Sequence, residues 1–312
     1  MTAPLLDIRE LSVTASTASG PYDAVREVSL EIPRAGAVAV VGESGSGKSL
    51  TALAVAGLLG EKLTPTGSIL FDGEELVGMP AARRREIAGR RIGFVFQEPM
   101  SSLHPILTVG QQIDEGLRAH YDMTTRQRTD RVRELLATVG LSNTRDVVGD
   151  RIGQLSGGMR QRVMIAMAIS CEPELIIADE PTTALDVTLQ RQVIDLLASL
   201  RERLGLSLML ITHDLGVVAE TCEQAVVMYG GQVVERGDTR TLLHEPAHDY
   251  TKALVLSIPT LGDTRRRLPT VASVAPWLSD TRQIPLADRP LTEMSQIAPD
   301  HWVRSTTAKD AA

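Results

Sequence analysis

The run Gly42-Glu43-Ser44-Gly45-Ser46-Gly47-Lys48-Ser49 has the spacing of a loop that wraps a nucleotide phosphate, G-x-x-x-x-G-K-[ST]. Glycines let the backbone turn tightly, so that successive N–H groups point at phosphate oxygens. The helix that follows adds the partial positive charge of its N-terminus. In this chemistry Lys48 reaches the β/γ-phosphates and Ser49 holds Mg2+. Further on, Leu175-Ile176-Ile177-Ala178 is an apolar run closed by two acids, Asp179 and Glu180. Asp179 suits Mg2+ through water, and Glu180 is placed to polarise an attacking water. A third group, Leu155-Ser156-Gly157-Gly158-Met159-Arg160-Gln161, opens a helix. Ser156 is a good N-cap, and Gly157 and Gly158 expose helix N–H groups to an anion. One nucleotide does not need two such helix ends from the same chain. The spare end suggests a dimer in which each chain completes the other's site.

These groups need elements to carry them. Leu5–Val13 and Ala24–Ile32 read as strands around a Gly/Ser/Thr-rich turn. Residues 37–41 are short and wholly apolar, as a buried parallel strand would be. A helical pattern runs from Lys48 to about Leu59, and Ile92, Phe94 and Phe96 alternate into another strand. From about Pro99 to Ile169 the pattern is helical. Leu175–Ala178 and Leu208–Thr212 read as buried strands on either side of a helix from about Thr188 to Arg203. Gln224–Tyr229 and Gln232–Glu235 flank Gly230-Gly231, a hairpin signal. Strands alternating with helices predict an α/β fold. The phosphate loop, Gln97, Asp179-Glu180 and His213 all follow predicted strands, the end at which open α/β sheets place ligands. After about Arg236 the texture changes. A short helix around His248–Ser257 leads into a Pro- and Arg-punctuated tail.

Composition narrows the partners. The 312 residues are 43% hydrophobic and 23% charged, enough apolar material for a sizeable core. Aromatics are only 3%, so a surface that stacks nucleic-acid bases is not expected. A net charge of −7 also argues against nucleic acid as a bulk electrostatic partner. Two cysteines, Cys171 and Cys222, offer no disulfide framework and fit a reducing compartment. The first ten residues carry Asp7 and Glu10 and do not read as a signal peptide. No apolar run approaches the roughly 20 residues of a membrane span. A protein of this kind working at a membrane would dock onto something that spans it.

Together the phosphate loop, Gln97, the Leu155–Gln161 run, Asp179-Glu180, Ala184-Leu185-Asp186 and His213 resemble the nucleotide-binding subunit of an ABC transporter over roughly residues 5–240. The segments Gln97–Pro105, Ser156–Met159 and Asp179–Asp186 resemble the D-type ATPase of oligopeptide and dipeptide importers. His248-Asp249-Tyr250-Thr251-Lys252-Ala253-Leu254 resembles that family's HPYTxAL element. The resemblance implies a P-loop NTPase with a RecA-like core and an antiparallel β subdomain. A helical subdomain at about 99–170 would be inserted in an ATPase domain of residues 1–240. A C-terminal extension would occupy residues 241–312.

The resemblance also implies a mechanism. Two cassettes would close over two ATP molecules, with Ser156, Gly157 and Gly158 of one covering the γ-phosphate held by Lys48 of the other. Glu180 would activate water, His213 would contact the γ-phosphate, and Gln97 would touch Mg2+ or the water and signal to the Glu98–Pro105 loop. That loop would face two membrane permeases at the cytoplasmic face of the membrane. The second ATPase would be an F-type subunit, and an extracytoplasmic solute-binding protein would deliver cargo. Peptides are the expected cargo, with nickel or another small solute as the alternative.

Two departures stand out. The family often carries an adenine-stacking aromatic after the first strand. Here that place falls near Ala15, so the role is empty or passes to Tyr22. Many members hold an iron–sulfur cluster on four cysteines of the extension. None follows Cys222 here, so no cluster is expected, and Leu254, Ile258 and Trp302 are expected to pack the extension.

Competing readings are weaker. A soluble ABC ATPase acting on nucleic acid or ribosomes usually has two cassettes or a long coiled-coil insertion. A GTPase would need N-K-x-D, and Asn143-Thr144-Arg145-Asp146 has the wrong second residue. His244-Glu245-Pro246-Ala247-His248 matches H-E-x-x-H, but Pro246 should leave His244 outside the helix. The arginine runs 83–85 and 265–267 read as solvated faces.

Overall fold

The computed structural model describes residues 3–141, 146–183, 185–257 and 292–305. Ala184, Asn143–Arg145, Ile258 and Arg265–Arg267 lie outside them. In chain order the elements are β1 (Leu6–Thr17), β2 (Gly20–Ile32), β3 (Ala37–Val41), α1 (Lys48–Ala56), β4 (Leu63–Phe71), β5 (Glu74–Glu75), α2 (Ala81–Ile87) and β6 (Ile92–Val95). Then come α3 (Pro99–Ser102), α4 (Val109–His120), α5 (Thr125–Thr138), α6 (Gly157–Ala168), β7 (Leu175–Asp179), α7 (Val187–Leu204) and β8 (Ser207–Thr212). The rest are α8 (Leu215–Thr221), β9 (Gln224–Tyr229), β10 (Gln232–Asp238), α9 (Thr239–His244), α10 (Asp249–Leu256), β11 (Met294–Ala298) and β12 (His301–Arg304).

The chain divides into two compact units that are not continuous in sequence. The first comprises Met1–Ile32, Ala37–Val77 and Thr212–Ala312; the second comprises Pro33–Gly36 and Gly78–Ile211.

In the first unit, β2, β1, β4 and β5 form an antiparallel sheet in that order. Its inner face is Leu6, Ile8, Leu11, Val13, Val28, Leu30 and Ile69, all buried. A second set of strands runs β11-β12-β10-β9-β3, antiparallel except for the β3–β9 pair. Every residue of β3 is buried, because a parallel strand packs on both faces. The β9–β10 turn is Gly230-Gly231, with φ of 57° and 83°, the left-handed pair that a two-residue hairpin requires. Helix α1 stops at Ala56, three residues before the sequence pattern suggests, because Gly57 takes φ 71° and its N–H caps the carbonyl of Ala54.

In the second unit, β6, β7 and β8 are parallel. Strand β6 ends at Val95; Phe94 is half-buried and Phe96 exposed, so of the three alternating residues Ile92 alone is buried. The predicted helical stretch is α3 to α6. Thr108 and Thr124 open α4 and α5 with capping boxes closed by Gln111 and Gln127. Met164 is buried in α6, whereas Met159 and Met167 are half-buried. Cys171 is buried and free.

Among the described residues of the extension, polar contacts accompany the apolar packing. Leu254 and Trp302 are only half-buried, and the Arg236 guanidinium lies over the Trp302 ring at 5.1 Å. The buried ones among the described residues of the extension are Leu242, His248, Tyr250, Thr251, Ala253, His301 and Arg304. Polar side chains serve here because β12 pairs with β10 beside the fully buried Glu235, which needs donors.

Candidate functional site

The phosphate loop leaves β3 and enters α1 in the first unit. Ser44 and Gly45 form its exposed tip, while Ser46, Gly47 and Lys48 are buried. Two glycines are required by space. A Cβ at Gly42 (φ 151°) would stand 2.2 Å from the Met228 carbonyl oxygen, and one at Gly47 (φ 97°) would stand 3.2 Å from the Ala24 oxygen. The loop therefore lies flat on β9 and β2. Lys48 Nζ donates to the Gly42 and Glu43 carbonyl oxygens at 2.8 Å each, so the ammonium spans the loop from inside. Ser49 follows it, half-buried. Glu43 N–H donates to the Tyr250 hydroxyl at 2.8 Å.

Tyr22 lies directly across from Ala15 in the β1–β2 ladder. Ala15 is buried and Tyr22 is 41% exposed. Two residues on, Ala24 presents its carbonyl to Gly47. The aromatic missing from β1 is thus present on its paired neighbour, on the same strand that backs the loop. His213, also in the first unit, follows β8 and is exposed. Asp214 beside it caps α8 by accepting from Gly216 and Val217 N–H groups.

The second unit holds the acids. Asp179 closes β7 and is buried. Glu180 has φ 44°, a left-handed conformation unusual for a side chain of its size, and its N–H donates to the Ile211 carbonyl at 2.9 Å. Its Oε2 accepts from Gln97 Nε2 at 3.1 Å and from Thr183 Oγ1 at 2.9 Å. Gln97 and Glu180 are therefore brought together, as chemistry at one water would need. Ser156 caps α6 by accepting from Met159 N–H at 3.3 Å. Gly157 is exposed there. Gly158 is buried, and a Cβ on it would meet Leu189 Cδ2 at 2.9 Å. Asp186 caps α7.

The H-E-x-x-H string does not share a helix. His244 ends α9 and His248 caps α10, with its Nδ1 accepting from Tyr250 N–H. Two residues escaped the sequence reading. Glu235 is an acid that follows the buried pair Val233-Val234 and precedes Arg236, so nothing in the sequence sets it apart from an ordinary strand-end charge. Tyr250 had no signal beyond its place in the His248–Leu254 element.

Comparison with known proteins gives the family. The family profile described as ABC transporter matches residues 25–183, and that of the oligopeptide/dipeptide transporter C-terminal region matches 234–285. The chain is similar to the dipeptide transport ATP-binding protein DppD of Haemophilus influenzae, 44% identical over 277 residues, 88% of this chain and 84% of that protein. DppD of Escherichia coli is 43% identical over 283 residues, 88% and 85% of the two chains. Among solved structures, the ATP-binding cassette MJ0796, a dimer in a post-hydrolysis state with ADP and Pi, is 29% identical with a TM-score of 0.68. It covers 75% of this chain and 99% of its own. The cassette cbiO1 of Clostridium perfringens, part of the transporter complex cbiONQ, is 28% identical with a TM-score of 0.66, over 78% and 92% of the two chains.

Proposed function

Because this chain belongs to the ABC transporter family, in its oligopeptide/dipeptide branch, we propose that it is the ATP-hydrolysing subunit of an importer of di- and oligopeptides. It is an ATPase with the P-loop NTPase fold. The observation that carries the reading is the phosphate loop: glycines pressed against backbone, Lys48 buried inside the turn, and α1 opening at Lys48.

In this reading Lys48 and the N–H groups of Gly42–Ser49 grip the β/γ-phosphates, and Tyr22 stacks on adenine. Ser49, Gln97 and Asp179 are oxygen donors of the hard kind that Mg2+ takes, so they fit that ion. When bound, Mg2+ offsets the charge on the transferring phosphoryl group. Glu180 takes the proton of the attacking water; Gln97 and Thr183 hold its carboxylate in one orientation. His213 contacts the γ-phosphate. Ser156, Gly157 and Gly158 serve the nucleotide of a second cassette. The dimeric state of the MJ0796 cassette supports that role.

The partners follow from the same reading: an F-type ATPase as the second cassette, two membrane permeases, and an extracytoplasmic solute-binding protein. No helix among the described residues is long and apolar enough to cross a membrane. In this reading attachment at the cytoplasmic face runs through the permeases. Met100 within the Glu98–Pro105 loop and Ile106 just after it, exposed at 59% and 68%, suit that contact. Residues 241–312 are the importer-type extension, without an iron–sulfur cluster, because the chain's two cysteines both precede it. Nucleic acid is not a partner.

The test is Lys48→Ala. ATP binding and hydrolysis should both fall to background in the variant, while wild type co-purifies with two permeases and a second ATPase. Wild-type turnover in the variant would remove the site assignment. Co-purification with ribosomes would remove the importer.

A further inference from the structure

Glu43 is gripped from both sides. Its carbonyl accepts from Lys48 inside the loop, and its N–H donates to the Tyr250 hydroxyl on α10 at 2.8 Å. Tyr250 is fully buried, and its ring packs on Tyr229 with centroids 4.5 Å apart. Tyr229 follows Met228, the residue whose carbonyl limits Gly42. The phenol thus reaches the phosphate loop from outside and is fixed on its other flank.

The start of α10 is fixed in turn. The fully buried Glu235 of β10 accepts from Ala247 N–H at 2.8 Å and from His248 N–H at 2.9 Å. His301 of β12 bonds the same carboxylate at 2.8 Å through Nε2. Arg304, at the end of β12, donates to the Val233 carbonyl at 2.6 Å. A continuous path of bonds therefore leads from residues 292–305 through Glu235 and α10 to the Glu43 amide.

We propose that Tyr250 is a positioning residue for the phosphate loop, and that segment 292–305 sets nucleotide affinity through Glu235 and the start of α10. This rests on reading Gly42–Ser49 as the ATP loop. The physical reason is that a phosphate-binding turn works only if its N–H groups already face the ligand. An unheld Glu43 peptide would let the turn open and would lower affinity without touching the hydrolytic groups.

The test uses the full-length chain with Mg·ATP and Mg·ADP as probes. Tyr250→Phe keeps the ring and its stacking and removes the hydroxyl that accepts from Glu43 N–H. Both dissociation constants should rise about five- to tenfold, the cost of removing the acceptor from one half-buried N–H. Amide exchange should quicken in the peptide containing Glu43 and stay unchanged across α10. His301→Ala should raise the constants as well, and His301→Gln, which restores a donor, should recover most of the loss. Unchanged constants in Tyr250→Phe beside a wild type that binds ATP would overturn the proposal alone. Loss of protection across all of α10 would reduce Tyr250 to packing and overturn it too. A wild type that fails to bind ATP would overturn the ATPase reading, and the proposal with it.

Discussion

Gln97 Nε2 and Glu180 Oε2 lie 3.1 Å apart, although 83 residues separate them in sequence. One residue follows β6 and the other follows β7, and the parallel pairing of those strands aligns their carboxyl ends. Thr183 Oγ1 donates to the same oxygen. A carboxylate held by two donors has one orientation, which a general base needs.

Glu180→Gln should therefore keep ATP binding and lose hydrolysis by about 10²–10⁴-fold, because an amide cannot accept the proton. Steady-state phosphate release, paired with equilibrium ATP binding, reads both halves. Normal turnover would remove Glu180 as the base. Gln97→Ala should cost less, since Thr183 still orients the carboxylate.

Tyr22→Ala should weaken ATP about 5- to 150-fold, the equivalent of the 1–3 kcal/mol that a stacked base is worth. Tyr22→Phe should bind like wild type, since the ring alone stacks. Equal affinities for all three would leave adenine to another group.

His248 gives a pH dependence. Burial pushes its imidazole down to about 4, against the opposing pull of the Glu235 and Asp249 carboxylates; Lys252 and Arg304 add to the lowering. The ring is neutral in the fold, whereas the unfolded chain binds a proton below about 6.5. The stability contributed is present in full above that pH and is lost as pH falls toward 4, by roughly 3 kcal/mol at most. Urea unfolding should show a lower midpoint at pH 4.5 than at about pH 7. His248→Asn keeps an N-cap acceptor without the titration and should flatten that slope. An equally steep slope in the variant would place the titration elsewhere.

Gly93→Ala should destabilise the chain by about 1–3 kcal/mol or more. Its Cβ would fall 2.2 Å from the Ala168 carbonyl oxygen at the end of α6 and 3.2 Å from Pro173 Cγ. Backbone cannot move aside as a side chain can. Chemical denaturation measures the loss, and unchanged stability would mean that α6 can slide on β6.

Local chemistry made much of this protein legible from residues alone. The phosphate loop, the Ser156 cap, the acid-ended strand and the Gly230-Gly231 turn depend on contacts within a few residues, so their spacing carries them. Strands β4, β11 and β12 were not legible. Their residues alternate weakly, and they exist because β1 and β10 offer edges to pair with. The same reason hid Tyr250 and Glu235. An aromatic and an acid have no fixed meaning until tertiary structure sets one beside the Glu43 amide and buries the other among the donors of α10 and β12. The Gln97–Glu180 bond stands between these cases. Sequence placed each residue at the end of a strand, but only the β6–β7 register brought them within 3.1 Å. Spacing along the chain encodes what neighbours in sequence do to one another. Contacts across tens of residues follow from how sheets and helices pack.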